Sequence, residues 1–190
     1  GGHSMIDAAA ISQRFARLLL LDPTVASPDT YTSPEPIEWD QLHPAAKRRN
    51  QFATSDEMFE QLRNKSSFPL FDPQILRDYC EFGLEESASG GLELCCQPEI
   101  EAHVYMSARS NGSVYDSVHA LEIPVTVVRA KLPINQAHDF SSSPTWPGLS
   151  AQFSNGRDIH FADCSHFIPM QKPNAVIDII KEEISAWRRK

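Results

Sequence analysis

Residues Asn155–Pro173 read NGRDIHFADCSHFIPMQKP, and the fold turns on how that stretch is understood. Asp158–Ala162, DIHFA, sets apolar residues on alternate positions, as a strand does. Asp163-Cys164-Ser165-His166 then forms a loop ahead of the next helix. A histidine just past a strand end can face a cleft while its neighbours pack. Phe167, Ile168 and Met170 supply the apolar anchors that such a loop needs. Position alone leaves His166 open between a catalytic base and a half-buried loop histidine.

Working outward, the stretch is followed by PNAVIDIIKEEISAWRRK, an amphipathic helix with Pro173 in its first turn and cations in its last. Upstream, Ile123–Val128 reads as a buried, largely β-branched strand. Leu18–Leu21 is a four-residue apolar run closed by Asp22-Pro23, which suits a strand buried in a parallel sheet. A short helix over Ile6–Arg17 precedes it. The segment between these strands carries helix signals. Thr54 with Glu57 makes a cap ahead of Met58, Phe59 and Leu62, and Asp72-Pro73 opens a second helix. Gly90-Gly91 marks a turn, Leu92–Cys96 a short strand, Pro98 another helix start, and Ser107–Val118 a polar loop. Helix, strand, helical insert, strand, strand, helix is an α/β layout.

Composition narrows the function. The 190 residues suffice for one domain with a real core, and 41% are apolar. A net charge of −8 disfavours a nucleic-acid reader, which needs a basic stripe to neutralise phosphates. No apolar run approaches the ~20 residues of a membrane span. Cys80, Cys95, Cys96 and Cys164 have no zinc spacing and read as reduced thiols of an intracellular protein. The histidines stand singly, with no metal-like spacing, and His160 on its strand reads as structural. Neither a metal nor an organic cofactor is implied.

The stretch Asp163–Pro173 fits D-x-S-H-F-x-P-x-x-x-P and closely resembles the histidine loop of the α/β-hydrolase superfamily. Glu122–Ala130, EIPVTVVRA, resembles the strand before it, and Arg14–Pro23, RFARLLLLDP, the strand after the nucleophile helix. More narrowly, the chain resembles fungal hydrolases of secondary metabolism, among them mycophenolyl-CoA hydrolase and toxin-biosynthesis hydrolases, which are typically peroxisomal acyl-CoA or ester hydrolases. The resemblance implies the C-terminal part of an α/β-hydrolase sheet, with the N-terminal strands absent from this chain. Residues 1–27 would hold the nucleophile-side helix and strand, 28–120 a mostly helical cap, and 121–190 the core with the histidine loop. The implied location is cytoplasmic or peroxisomal.

In that superfamily the order is Ser, acid, His. A serine hydroxyl is a poor nucleophile until a histidine takes its proton, and the histidine needs a carboxylate to fix its tautomer. The resemblance gives His166 as base. The acid is Asp22, at the end of LLLL, where the fungal subfamily keeps it; Asp139, in AHDF, is the alternative. The plain reading of Asp22-Pro23 is a strand stop and turn.

The nucleophile is conditional. Gly1–Met5 reads GGHSM, which resembles the front of a G-x-S-x-G elbow with Ser4 as nucleophile and the Met5 N–H as an oxyanion donor. Ile6 stands where the second glycine belongs, and only 13 residues separate Ser4 from Leu18. Two readings stay open: a native elbow with residues missing after it, or a vector-derived leader before Ile6. Either way three strands alone would leave an open edge and an apolar face. The chain would therefore need the missing N-terminal half or self-association.

The expected function is hydrolysis of a small-molecule ester or thioester, with acyl-CoA among the candidates, through an acyl-serine. A different class, a non-catalytic fragment that associates with a partner half, is the rival. A carboxylate-nucleophile hydrolase ranks last, because Ser4 occupies the slot where it would need Asp. Aromatics of the insert, including Trp39, Phe59, Phe68, Phe71, Tyr79 and Phe82, read as cap core or as the lining of an acyl pocket.

Overall fold

A computed structural model describes residues 1–32, 43–107, 111–133 and 140–188. In chain order the elements are α1 (Gly2–Ile11), β1 (Leu18–Leu21), α2 (Pro28–Thr32), β2 (Gln51–Phe52), α3 (Ser55–Leu62), α4 (Pro73–Phe82), β3 (Leu84–Glu86), β4 (Leu92–Leu94), α5 (Pro98–Ser107), α6 (Val114–Ala120), β5 (Val125–Arg129), β6 (Gly156–His160), α7 (Ile168–Gln171) and α8 (Pro173–Arg188). They form two compact units. One joins Gly1–Pro34 to Arg109–Lys190, and the other is Glu35–Ala108.

The first unit is built on a parallel sheet of order β1-β5-β6. Leu18 pairs with Val125 and Leu21 with Val128, while Val125 pairs with Gly156 and Arg129 with His160. Alternation sends Leu18, Leu20, Val125 and Val127 to one face, where they pack with Ile6, Val114, Val118, Leu149 and Phe153. Leu19, Leu21, Val128 and Ile159 take the other face, against Ile168, Val176 and Ile179. Every residue of β5 is buried, so an apolar run with little alternation is what its central place demands. The one polar side chain in it toward α8, Thr126, donates to Glu183 Oε1 at 2.7 Å, and Arg17 Nη1 meets Glu183 Oε2 at 2.7 Å.

The two outer strands differ. β6 carries Arg157, Asp158 and His160, charges and polarity of the kind that keep an edge from pairing further. β1 is four leucines, and among the described residues it pairs on one side only. Beside it Phe15, Leu19, Ile180, Ile184 and Trp187 line a groove of ≈ 380 Å³. Ile177, Ile180, Ile184 and Trp187 on α8 are all more than 40% exposed.

The second unit pairs β2, β4 and β3 antiparallel in the order β2-β4-β3. Its helix starts follow the sequence. Thr54 Oγ1 accepts from the Glu57 N–H at 3.1 Å, Glu57 Oε2 accepts from the Ala53 N–H at 2.6 Å, and Asp72 Oδ1 accepts from the Gln74 N–H at 2.9 Å. Gly90 and Gly91 turn with φ of 92° and 77°. Met58, Phe59, Leu62, Phe71, Leu76 and Cys80 are buried, whereas Phe82 is 74% exposed. Trp39 lies outside the described residues.

Three expectations need correction. Ser107–Val118 is not a continuous polar loop, because α6 begins at Val114 and buries Val114, Tyr115 and Val118. The insert differs from 28–120: Tyr31, Val114, Tyr115 and Val118 belong to the core of the first unit, leaving Glu35–Ala108 as the second. The first helix runs Gly2–Ile11 and ends before Arg17, with Ser12 extended beyond it. Among the described residues no helix is long and apolar enough to cross a membrane.

Candidate active site

Asp22 is the residue at which β1 ends. Its N–H continues the ladder to the Val128 carbonyl at 2.7 Å, and its φ is +46°. A left-handed backbone is uncommon for a non-glycine, and a following proline favours extended geometry instead. Such a residue persists only where its surroundings hold it, and here they hold the carboxylate. Asp22 is 1% exposed. Its Oδ1 accepts from the Ala130 N–H at 3.0 Å and the Ser143 hydroxyl at 2.5 Å, with the Thr145 hydroxyl at 3.2 Å. The Thr145 hydroxyl is closer to the Pro23 carbonyl, 2.6 Å, so its single proton is shared.

The other oxygen, Oδ2, lies 2.8 Å from His166 Nδ1. Donors gathered on the first oxygen leave the second for the ring. A carboxylate only accepts, so Nδ1 carries the proton and the neutral ring keeps its lone pair on Nε2. That tautomer suits a general base. His166 is only partly buried while its partner is enclosed.

The histidine loop is braced from several sides. The His166 N–H donates to the Phe140 carbonyl at 3.2 Å, and the Phe140 ring stacks on the imidazole, centroids 5.1 Å apart at 26°. The Ser165 N–H reaches Gln171 Oε1 at 3.1 Å, and Gln171 Nε2 returns a bond to Ser165 Oγ. The Lys131 N–H donates to the Cys164 carbonyl at 3.0 Å, tying the loop to the end of β5. Arg129, the last residue of β5, is buried and grips Asp158 with Nε–Oδ1 2.6 Å and Nη2–Oδ2 2.8 Å. The Asp158 bonds, and at longer range the Asp22 charge, favour its charged form.

The structure thus joins His166 and Asp22. Asp139 lies outside the described residues. Ser4 is exposed in the first turn of α1, and Ile6, in the elbow's glycine position, is fully buried among core residues. The Met5 N–H corrects an expectation: it donates to the Gly1 carbonyl at 3.1 Å and closes the first turn, so it is not a free oxyanion donor. Sequence reasoning missed Ser143, Thr145, Phe140 and Arg129. SSSPTW carries turn composition and nothing that points at a carboxylate more than a hundred residues away.

The start of α1 is fitted to its surroundings. A Cβ on Gly2 would stand 2.4 Å from Pro23 Cβ, directly after Asp22. Gly2→Ala should therefore destabilise the protein by about 1–3 kcal/mol, since a proline ring cannot yield. Helix propensity alone would give the opposite sign, up to about 1 kcal/mol of gain. A urea midpoint that rises in this variant would refute the close approach.

His3 Nε2 lies 3.1 Å from the Tyr31 hydroxyl, with the rings edge to face. Burial lowers the His3 pKa from 6.5, against an opposing pull from Asp7. The folded value lies below the unfolded one, so the unfolded chain binds the proton first. Stability should be whole above pH 6.5 and decline as pH falls through the interval down to the folded value. Urea midpoints across pH 7.5 to about 5 should drop more steeply in the wild type than in His3→Gln. Parallel lines would remove His3 from the acid response.

No family model and no curated protein matches the chain. Solved structures do. The chain is similar to E-2-(acetamidomethylene)succinate hydrolase, with a TM-score of 0.68 and 16% identity over 96% of this chain and 62% of that one. It is similar to a peroxisomal α/β-hydrolase of Saccharomyces cerevisiae, TM-score 0.70, 17% identity, 97% of this chain and 50% of that one. A third match is an esterase of M. tuberculosis, TM-score 0.61, 19% identity, 97% and 60%. The chain spans about half to three-fifths of the length of these proteins. With a parallel sheet whose first strand ends at Asp22 and whose third leads into the loop that carries His166, the chain has the α/β-hydrolase fold and covers part of it.

Proposed function

We propose that this chain is the C-terminal portion of a serine hydrolase that cleaves an ester or thioester, acyl-CoA among them. The observation that carries the reading is the 2.8 Å contact of His166 Nδ1 with a buried, donor-held Asp22. Ser4 Oγ attacks the acyl carbonyl carbon, and its proton passes to His166 Nε2. The tetrahedral adduct expels the alcohol or thiol, which leaves with that proton. Water then attacks the acyl-serine, gives a proton to Nε2, and releases the carboxylic acid as Ser4 regains its hydrogen. Asp22 keeps the ring in its tautomer and steadies the imidazolium. The contacts of Gly2 with Pro23 and of His3 with Tyr31 hold the start of α1, and Ser4 with it, against the first unit.

The leucine edge of β1 and the exposed stripe of α8 support a second part of the reading. They receive the portion of the fold that the matched proteins possess beyond the length shared with this chain. A fluorophosphonate probe tests the reading on the purified protein, with turnover of a p-nitrophenyl ester and denatured intact mass as readouts. One adduct on the Ser4 peptide, absent from Ser4→Ala, is expected, on a chain heavier than 21.3 kDa or accompanied by a second species. A lone 21.3 kDa species with neither turnover nor adduct overturns it in favour of a non-catalytic, associating fragment.

A further inference from the structure

Ser143 lies on the connection between β5 and β6, remote in sequence from both members of the acid–histidine couple. It is buried, 7% exposed. Its N–H and its hydroxyl are both committed. Its N–H donates to the Lys131 carbonyl at 2.8 Å. Its hydroxyl oxygen accepts from the Thr145 N–H at 3.1 Å, which leaves its one proton to donate to Asp22 Oδ1 at 2.5 Å. The same Lys131 donates its own N–H to the Cys164 carbonyl, two residues before His166. Ser143 therefore meets Asp22 through its hydroxyl and Lys131, at the end of β5, through its backbone, and Lys131 in turn holds the loop that carries His166.

The direction of the bond matters. A buried carboxylate with unmatched lone pairs turns toward whatever donor it can find. If Oδ1 lost its shortest donor, the carboxylate would have reason to swing about its Cβ–Cγ bond and share Oδ2 between the imidazole and the vacated position. Ala130 N–H at 3.0 Å remains, but the Thr145 hydroxyl is already nearer the Pro23 carbonyl and replaces Ser143 poorly. Among the described residues, the titratable or charged groups facing Asp22 are the His166 imidazole from the loop after β6 and the Arg129 guanidinium from β5, the latter engaged with Asp158. Neither supplies a donor to Oδ1.

We propose that Ser143 is a positioning residue for the Asp22–His166 couple: its hydroxyl holds Oδ1 so that Oδ2 is reserved for the Nδ1–H of the imidazole. The inference rests on the reading of these two residues as acid and base. Its test is independent of turnover and uses the purified protein together with any second species that accompanies it. The probe is the downfield Nδ1–H proton of His166 in a nitrogen-edited NMR spectrum, with its exchange rate against water. Asp22→Asn assigns the signal by abolishing it.

In Ser143→Ala the signal should broaden and its exchange accelerate at least about tenfold, the loss of one charge-assisted bond. Ser143→Thr, which restores a hydroxyl, should return the wild-type rate. Thr145→Val should change it less than Ser143→Ala does. Where Ser143→Ala fails to fold by circular dichroism, Ser143→Cys, close in size and a weak donor, is read the same way. Unchanged exchange in a folded Ser143→Ala or Ser143→Cys, with the signal still lost in Asp22→Asn, overturns the positioning role and leaves the couple standing. A wild-type spectrum whose His166 Nδ1–H is indifferent to Asp22→Asn overturns the couple, and the positioning role with it.

Discussion

His166→Ala is expected to lower hydrolysis by an active preparation by about 10⁴-fold or more while leaving the sheet intact. The size follows from the role: without Nε2 the serine proton has no acceptor in the transition state, and the leaving group has no donor. The fold should survive because the bracing of the loop is mainly backbone. The Lys131–Cys164 bond, the Ser165–Gln171 pair and the burial of Ile168 do not involve the imidazole. Circular dichroism and the urea midpoint check the second half of this expectation, and kcat/KM on a p-nitrophenyl ester checks the first. Retained turnover would end the assignment of His166.

Asp22→Asn should cost nearly as much, about 10⁴-fold in kcat, for a reason that the geometry makes specific. The donors on Oδ1 require an acceptor there. An asparagine satisfies them only by placing its carbonyl oxygen in that position, which turns its NH₂ toward His166 Nδ1. The imidazole must then accept at Nδ1 and carry its proton on Nε2, the wrong tautomer for a base. Binding should change far less than turnover, so the split between KM and kcat is the diagnostic. If Asp139→Asn produces this loss and Asp22→Asn does not, the acid belongs to the later position.

Much of this was legible in the residues. LLLL before Asp-Pro is a strand because four apolar residues closed by a turn pair suit a buried parallel edge. Thr54 and Asp72 announce helices through their side-chain oxygens, a local effect that needs no tertiary context. The histidine loop was legible as a motif. What escaped was long-range. α6 has its buried residues at Val114, Tyr115 and Val118, one helical face among Ser113, Asp116, Ser117 and His119, but at seven residues it is too short for its period to stand out from the polar stretch around it until it packs against α1. Ser143 and Thr145 look like any polar turn until the chain has brought Asp22 beside them. That the Met5 N–H meets the Gly1 carbonyl, closing a helical turn, is likewise nothing that GGHSM announces.

The groups around the Asp22 carboxylate stand 108, 121, 123 and 144 positions away along the chain. Contacts of such separation bear the largest loop-closure entropy and reward the chain only after the intervening segments have condensed. A carboxylate cannot leave water before its donors arrive, since an unmatched buried anion is among the most expensive groups a protein can hold. In kinetic terms, the expected order places the burial of Asp22 after β5, the Ser141–Trp146 segment and the loop of His166 have come together, so that the Asp22–His166 contact forms late.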